Sequence, residues 1–548
     1  MRIPIETGRD SPDCLAPRGR LVLGYQGTLA PDPARCAEPA AGGEEAPLIP
    51  EIPLEPWIRD AQRDLQQRLS AGVPECRGGC IDPGALVETL RERLTGILTE
   101  ALAFDPDANE ESLTRRYPAL PALLQGAAAE WVDAIAVFHE RFHRDASRLA
   151  HWQDDAQLPE LRSLTPARSD PHAGGHSVLQ LLFRDGRCIY YKPRPISGEW
   201  LWDRLVHAVN GHSSLQLNSA GALAGITGRY GWVASLTPHA GLHEWDQSSL
   251  QASAYWHAAG ATLCLAAHVR MTDLHLANVL ATSSGPAPVD AESFGSPPTA
   301  ADSGARHAFA AIVDTLLDTG LLPSDHAGEL PDVSGLFGRA AAAPGILVPE
   351  WSDGPAGTRR LRMVPSALVD QGNAPPGASP LQVLPQLVSG YREAADALMR
   401  CRESLVSPES PWRRMLTQIH APRIILRDTL TYGLLLSESL QPDQLPSVHR
   451  RRSVLRNALR GRSRGALPEA VLRAELRDLL GLHIPRFTVL PGSRTLATSS
   501  GRGLAQRFLA CSPAEAVLHG MDQLSTQRLN ELHVPALLLA ILGQQGSS

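Results

Sequence analysis

The chain is 548 residues long, 43% hydrophobic and 20% charged, with a formal net charge of −7. This balance describes a folded globular protein with room for two or three domains, and it excludes an intrinsically disordered chain. The acidic excess also excludes nucleic-acid binding through bulk basicity, so no nucleic-acid partner is expected.

Residues 1–54 are rich in Pro, Ala and Gly (PDPARCAEPAAGGEEAPLIP) and read as an irregular N-terminal segment. The first residues, MRIPIETGRD, have neither the apolar stretch nor the cleavage site of a signal peptide. Residues 55–160 carry apolar positions at helical spacing, as in ALVETLRERLTGILTEAL and EWVDAIAVFHERFHRDASRLAHW, and predict a helical region. Within it Cys76 and Cys80 form a close pair, but without a second pair or nearby histidines a metal site is not expected there.

Residues 161–300 change character. HSVLQLLFRDGRCIYYKPR places two apolar runs around Asp185-Gly186, a hairpin signal. SLQASAYWHAAGATLCLAAHVR reads as a buried helix that delivers the chain to MTDLHLANVL, and APVDAESF follows. Residues 301–410 are punctuated by Pro and Gly and predict a helical or irregular insertion. Residues 411–548 look mainly helical. The longest apolar run, VPALLLAIL, is too short to cross a bilayer. Eight scattered cysteines show no disulfide framework, which fits a reducing compartment. We therefore expect a cytoplasmic chain of the α+β class with no membrane span.

Lys192, in RCIYYKPRPISGEW, is the sole lysine among 51 basic residues. An ammonium is a compact charge on a flexible stem and a guanidinium is a wide planar fork, so a site built for one often rejects the other. A lysine at the end of a strand that reaches a pair of phosphates is such a site. The surrounding segments support that reading. A glycine-containing turn, SDPHAGGHSV, precedes the hairpin that ends in Lys192, and TDLHLANVL and VDAES come later. This is the order of parts in a kinase fold: nucleotide-covering loop, strand lysine, catalytic loop with Asp and a downstream Asn, then a metal-binding Asp. Asp273 is the candidate acceptor of a hydroxyl proton. Asn278 and Asp290 are candidate magnesium ligands, since magnesium takes few protein oxygens when phosphates supply the rest.

The segments SDPHAGGHSV, YYKPRP, YGWV, TDLHLANVLA, PVDAESF, RIILRDTLTYGLLL and HIPRFTVLPGS resemble the dehydratase region of the class II lanthipeptide synthetases. The resemblance runs from about residue 165 to 500. It implies a lipid-kinase-like core, with a small antiparallel-sheet N-lobe, a mainly helical C-lobe and additional helical subdomains. It also implies an enzyme that phosphorylates Ser and Thr of a ribosomal precursor peptide with ATP and Mg2+, then eliminates phosphate to leave dehydroalanine or dehydrobutyrine. By motif, Asp170 and His172 match the D-x-H of the glycine loop, and Lys192 and Arg194 the nucleotide-binding Y-K-P-R strand. Asp273, His275 and Asn278 match the catalytic loop, and Asp290 and Glu292 the D-x-E motif. Arg423 and Thr429 match the pair that serves elimination.

The chain departs from the family pattern at Ala277 and Ala234, where glutamates are expected, and its N-terminal helical region is short. A cyclase domain would hold zinc with two cysteines and a histidine, yet Cys511 is the single cysteine after Cys401. The expectation is a stand-alone dehydratase without zinc, with cyclisation left to a separate enzyme, to spontaneous chemistry, or absent. Two other readings stay open: a phosphotransferase that stops at the phosphopeptide, and a catalytically silent peptide-binding scaffold.

Overall fold

The computed structural model describes residues 54–72, 83–102, 115–151, 158–166, 174–239, 249–301, 307–323, 332–338, 342–353, 359–367, 378–461 and 467–543. The described residues form a mixed α and β structure with far more helix than strand, so its sheets are small relative to the helices around them. Helices α1 (Glu55–Gly72), α2 (Pro83–Leu102) and α3 (Ala119–His151) come first. A five-stranded antiparallel sheet follows, made of β1 (Leu161–Pro166), β2 (Leu179–Phe183), β3 (Cys188–Lys192), β4 (Ala222–Ala224) and β5 (Gly231–Ala234), in the order β1-β2-β3-β5-β4. The β2–β3 turn sits where Asp185-Gly186 predicts it. Gly186 is left-handed at φ 88°, and Arg187 N donates to Asp185 Oδ1.

Helix α3 covers this sheet through Phe138 and Phe142, which pack on Tyr191 and Trp232. Burying each such ring contributes on the order of 2–3 kcal/mol. Asp145 fixes the contact, accepting from Tyr230 Oη at 2.8 Å and Trp232 Nε1 at 2.9 Å. Among the described residues α3 is the helix long and apolar enough to cross a membrane, a longer apolar stretch than the C-terminal run VPALLLAIL. Its aromatic face is buried against the sheet.

Helix α4 (Ser197–Asn210) follows β3 directly. Helix α5 (Leu250–His268) is apolar on nearly every side and crosses α7 (Leu384–Val406) at very short range. Glycines permit that approach. A Cβ on Gly260 would fall 2.0 Å from Leu387 O, and one on Gly390 would fall 1.7 Å from His257 O. After α5 come the hairpin β6 (Val279–Thr282) and β7 (Gly285–Pro288), then α6 (Ala308–Asp318).

One expectation needs correction: the insertion 301–410 contains a long antiparallel hairpin, β8 (Ala342–Asp353) with β9 (Arg359–Ala367), besides its helices. The segment 411–548 is mainly helical among the described residues, as expected, and it adds a small sheet. Its strands β10 (Arg423–Ile424), β11 (Phe487–Val489), β12 (Leu496–Thr498) and β13 (Gly503–Ala505) form a four-stranded sheet. Between β10 and β11 lie α8 (Thr429–Ser439), α9 (Val448–Gly461) and α10 (Glu469–Leu480).

Candidate functional site

The site begins at the end of β3. Lys192, paired across the sheet with Gly231, donates from Nζ to Glu199 Oε1 at 2.9 Å and to Val289 O at 2.7 Å. Glu199 stands in the first turn of α4. Its position depends on Gly198, where a Cβ would lie 2.1 Å from Ala291 O, so only glycine lets the helix start this close to the D-x-E segment. Burial works against the Glu199 carboxylate, but Arg194 and Lys192 outweigh it and hold the carboxyl well below its ordinary range. Arg194 reaches three carboxylates: Glu199 at 2.7 Å, Asp290 at 2.6 Å and Glu292 at 3.1 Å.

The loop after α5 carries Asp273. Its own backbone is left-handed at φ 63°, an uncommon conformation for a non-glycine residue and typical of functional loops. Neighbouring segments hold it there: Leu274 N donates to Thr319 O at 2.8 Å and Leu276 N to Val333 O at 2.9 Å. Asn278 Nδ2 donates to Asp273 O at 2.8 Å and lies 3.2 Å from His275 Nε2, while His275 Nε2 is 3.8 Å from Asp273 Oδ1. Burial raises the Asp273 pKa, with Glu292 and Asp290 adding to the rise and Arg423 and His275 opposing it. A carboxylate of raised basicity suits a proton acceptor.

Asn278 and Asp290 flank the open end of the β6–β7 hairpin, where Val289 N donates to Asn278 O at 2.9 Å. The Asn278 amide nitrogen is committed to Asp273 O, which leaves its side-chain carbonyl oxygen as the group for a cation. Two oxygen donors on adjacent backbones fit magnesium that takes its remaining ligands from phosphate and water. Among the described residues no group of three or more His, Cys, Asp or Glu forms a metal cage made of protein alone.

Arg423 enters from β10, not from a helix. Its backbone N donates to Glu292 O at 2.7 Å. Its Nη1 is 2.6 Å from Glu292 Oε1 and 3.5 Å from Asp273 Oδ2. Burial disfavours the Arg423 charge, but Glu292 and Asp273 more than compensate, and the guanidinium is held cationic. The second arginine of RIILRDT, Arg427, points elsewhere, into a buried pair with Glu475 at 2.8 Å. Thr429 opens α8 behind the cap Asp428, and among the described residues no hydrogen bond joins it to Arg423 or Asp273. Asp170 and His172 lie outside the described residues. Ala277 is exposed on the loop and Ala234 is a β5 residue paired with Ile189.

Two members of the cluster were not assigned from the sequence. Glu199 lies in the same stretch as the lone lysine, RCIYYKPRPISGEW. Arg486, in HIPRFTVLPGS, donates from Nε at 3.1 Å and Nη2 at 3.0 Å to Glu292 Oε2. Four cations, Lys192, Arg194, Arg423 and Arg486, thus interleave with Glu199, Asp273, Asp290 and Glu292. A cavity of about 450 Å³ lies apart from them, lined by His268, Arg270, Ile312, Tyr391, His519 and His533 among others. The cavity and the charge cluster therefore do not coincide.

A mixed α/β chain with small antiparallel sheets and a buried, charge-dense centre is the class that these features define. Residues 117–490, more than half of the chain, match a domain of unknown function (DUF4135), and the chain belongs to that family. The domain is found in lanthipeptide synthetase-like proteins, which fits a lanthipeptide-related protein. No curated protein matches the chain.

Proposed function

We propose that the chain is a lanthipeptide-type dehydratase on a lipid-kinase-like core. It would phosphorylate Ser and Thr of a ribosomal precursor peptide and then eliminate phosphate to give dehydroalanine or dehydrobutyrine. The observation that carries this reading is Arg423, whose one guanidinium touches both the D-x-E carboxylate Glu292 and the proton acceptor Asp273. A plain phosphotransferase has no need of such a group. An enzyme that must expel phosphate does, because a positioned guanidinium stabilises the leaving dianion.

The other parts take the roles that kinase chemistry requires. Lys192, oriented by Glu199, and Arg194 bind nucleotide phosphates; Asn278 and Asp290 hold magnesium. ATP supplies the phosphoryl group when bound, and magnesium neutralises its charge. Asp273, with His275 beside it, takes the proton from the attacking hydroxyl. In the second step the α-proton goes to a base of the site, and Asp273 is the carboxylate in contact with Arg423. The Cα–H electron pair forms the Cα=Cβ bond, and phosphate departs with the Cβ–O pair. A need for ATP supports a cytoplasmic location for this reaction.

The position of Thr429, unbonded to Arg423, favours a second reading in which the reaction stops at the phosphopeptide. Incubation with ATP, magnesium and a candidate Ser/Thr-containing precursor peptide, followed by mass spectrometry, decides. Loss of water supports the dehydratase, gain of phosphate the phosphotransferase, and an unchanged peptide the silent scaffold.

A further inference from the structure

Glu292 is the point where three guanidinium groups meet. Arg194 lies 3.1 Å from its Oε2, Arg423 is 2.6 Å from Oε1, and Arg486 reaches Oε2 twice, at 3.1 and 3.0 Å. Arg194, Arg486 and Glu292 are buried, and Arg423 is nearly so. Arg194 also has Glu199 and Asp290, and Arg423 also has Asp273. Arg486 donates both of its bonds to Glu292 Oε2, an oxygen that it shares with Arg194. Burial and the nearby Arg194 and Arg423 all work against the Arg486 charge, and Glu292 supports it. One carboxylate with two oxygens serves three buried forks, whereas a phosphate dianion offers three oxygens and twice the charge.

The strand register adds geometry. Arg423 pairs with Thr488 and Ile424 with Phe487. Arg423 opens β10 and Arg486 immediately precedes β11, so both arginines stand at this short strand pair. Both reach Glu292 of the D-x-E segment.

We infer that Arg486, with Arg423, binds the phosphate of the phosphorylated Ser or Thr side chain, and that Glu292 holds both guanidiniums in place until that phosphate displaces it. The inference rests on the dehydratase reading for its ligand. No bond changes at Arg486; it lends charge and two donors to the leaving group.

The test reads binding, so it stands apart from turnover. Inorganic phosphate and a synthetic phosphoserine peptide are titrated calorimetrically into the full chain, with and without ADP and magnesium. The variants are Arg486→Gln, Arg486→Lys and Glu292→Gln, each checked for fold by circular dichroism. Arg486→Gln is expected to weaken both ligands about tenfold or more, and Arg486→Lys by a smaller factor. Glu292→Gln, which removes the competing carboxylate, is expected to tighten them about tenfold. A merely structural Glu292 would not produce that gain, so unchanged or weaker binding in Glu292→Gln overturns the inference. Unchanged affinity in a folded Arg486 variant overturns it as well, and the lysine variant decides if the glutamine one does not fold. Displacement of phosphate by ADP would assign Arg486 to the nucleotide site and also overturn it. Failure of the dehydratase reading shows separately, as wild-type protein that binds phosphopeptide but never releases phosphate from it.

Discussion

Lys192 Nζ and Glu199 Oε1 stand 2.9 Å apart, and this contact ties the end of β3 to the first turn of α4. The same ammonium donates to Val289 O, next to Asp290, so one small cation spans sheet, helix and hairpin. A guanidinium in that place is wider and planar, and it cannot reproduce both contacts with one nitrogen. Lys192→Arg is therefore expected to reduce phosphorylation by about 100-fold or more while the fold persists, since small misplacements of reacting groups have that effect. Phosphate incorporation and circular dichroism check the two halves. Near-normal turnover of the arginine variant would remove Lys192 from phosphate binding.

His420 links the same region to solution pH. Its Nε2–H donates to Phe294 O at 2.6 Å and its Nδ1 accepts from Ser197 Oγ at 2.9 Å, which joins the start of α4 to the D-x-E segment. Burial lowers its pKa from 6.5 to about 4, against the opposing effects of Phe294 O and Glu199. The sign follows from linkage. Below pH 6.5 the unfolded chain takes up a proton that the folded chain refuses, so stability falls as pH drops from about 6.5 to about 4, by up to about 3 kcal/mol. Denaturant unfolding across this window should show the slope, and His420→Gln should flatten it. An identical slope in the variant would mean that other groups set the acid limit.

Much of the N-terminal half of the site was legible because its signals are local. The Asp185-Gly186 turn, the buried helix before MTDLHLANVL and the Asn278/Asp290 pair around a short hairpin all lie within a few residues of the groups that they position. Arg423 was harder. Its segment is apolar and continuous, and it becomes a strand because β11, about 60 residues later, pairs with it. The β8–β9 hairpin was missed among Pro and Gly signals that read as irregular. Glu199 and Arg486 were not legible as members of the cluster because their partners are set by packing: Gly198 against Ala291 for the first, the β10–β11 pairing beside it for the second.

Helix crossing gives a prediction about stability. A Cβ on Gly390 would lie 1.7 Å from the backbone oxygen of His257, and no rotamer change can move a backbone atom. Gly390→Ala is expected to destabilise by about 3 kcal/mol or more, since it must separate α5 from α7. Gly126, exposed in α3, is the control, because a Cβ there would have no neighbour within 4 Å. Gly126→Ala should stabilise by about 0.5–1 kcal/mol through helix propensity. Thermal unfolding of the two variants should therefore shift in opposite directions, and similar small shifts in both would contradict the tight crossing.

On the proposed dehydratase reading, Arg423 is the residue that would distinguish the protein from a kinase. Its guanidinium lies 3.5 Å from Asp273 Oδ2, yet phosphoryl transfer asks of Asp273 only that it accept a hydroxyl proton. Removing the positive charge should raise the basicity of Asp273 and leave the first step mostly intact. The proposed second step is different, because phosphate would leave as a dianion and the guanidinium would be the group that stabilises it. Loss of one preorganised donor of this kind typically slows its step about 100- to 1,000-fold. Arg423→Ala, and Thr429→Ala if the family resemblance holds at that position, should still consume ATP and accumulate phosphorylated peptide. Asp273→Asn and Asp290→Asn should return the peptide unmodified, because they act before any phosphate is attached. Mass spectrometry of the stalled product separates these outcomes. Unmodified peptide from Arg423→Ala would place the arginine in nucleotide binding or folding, and normal dehydration would remove it from the mechanism.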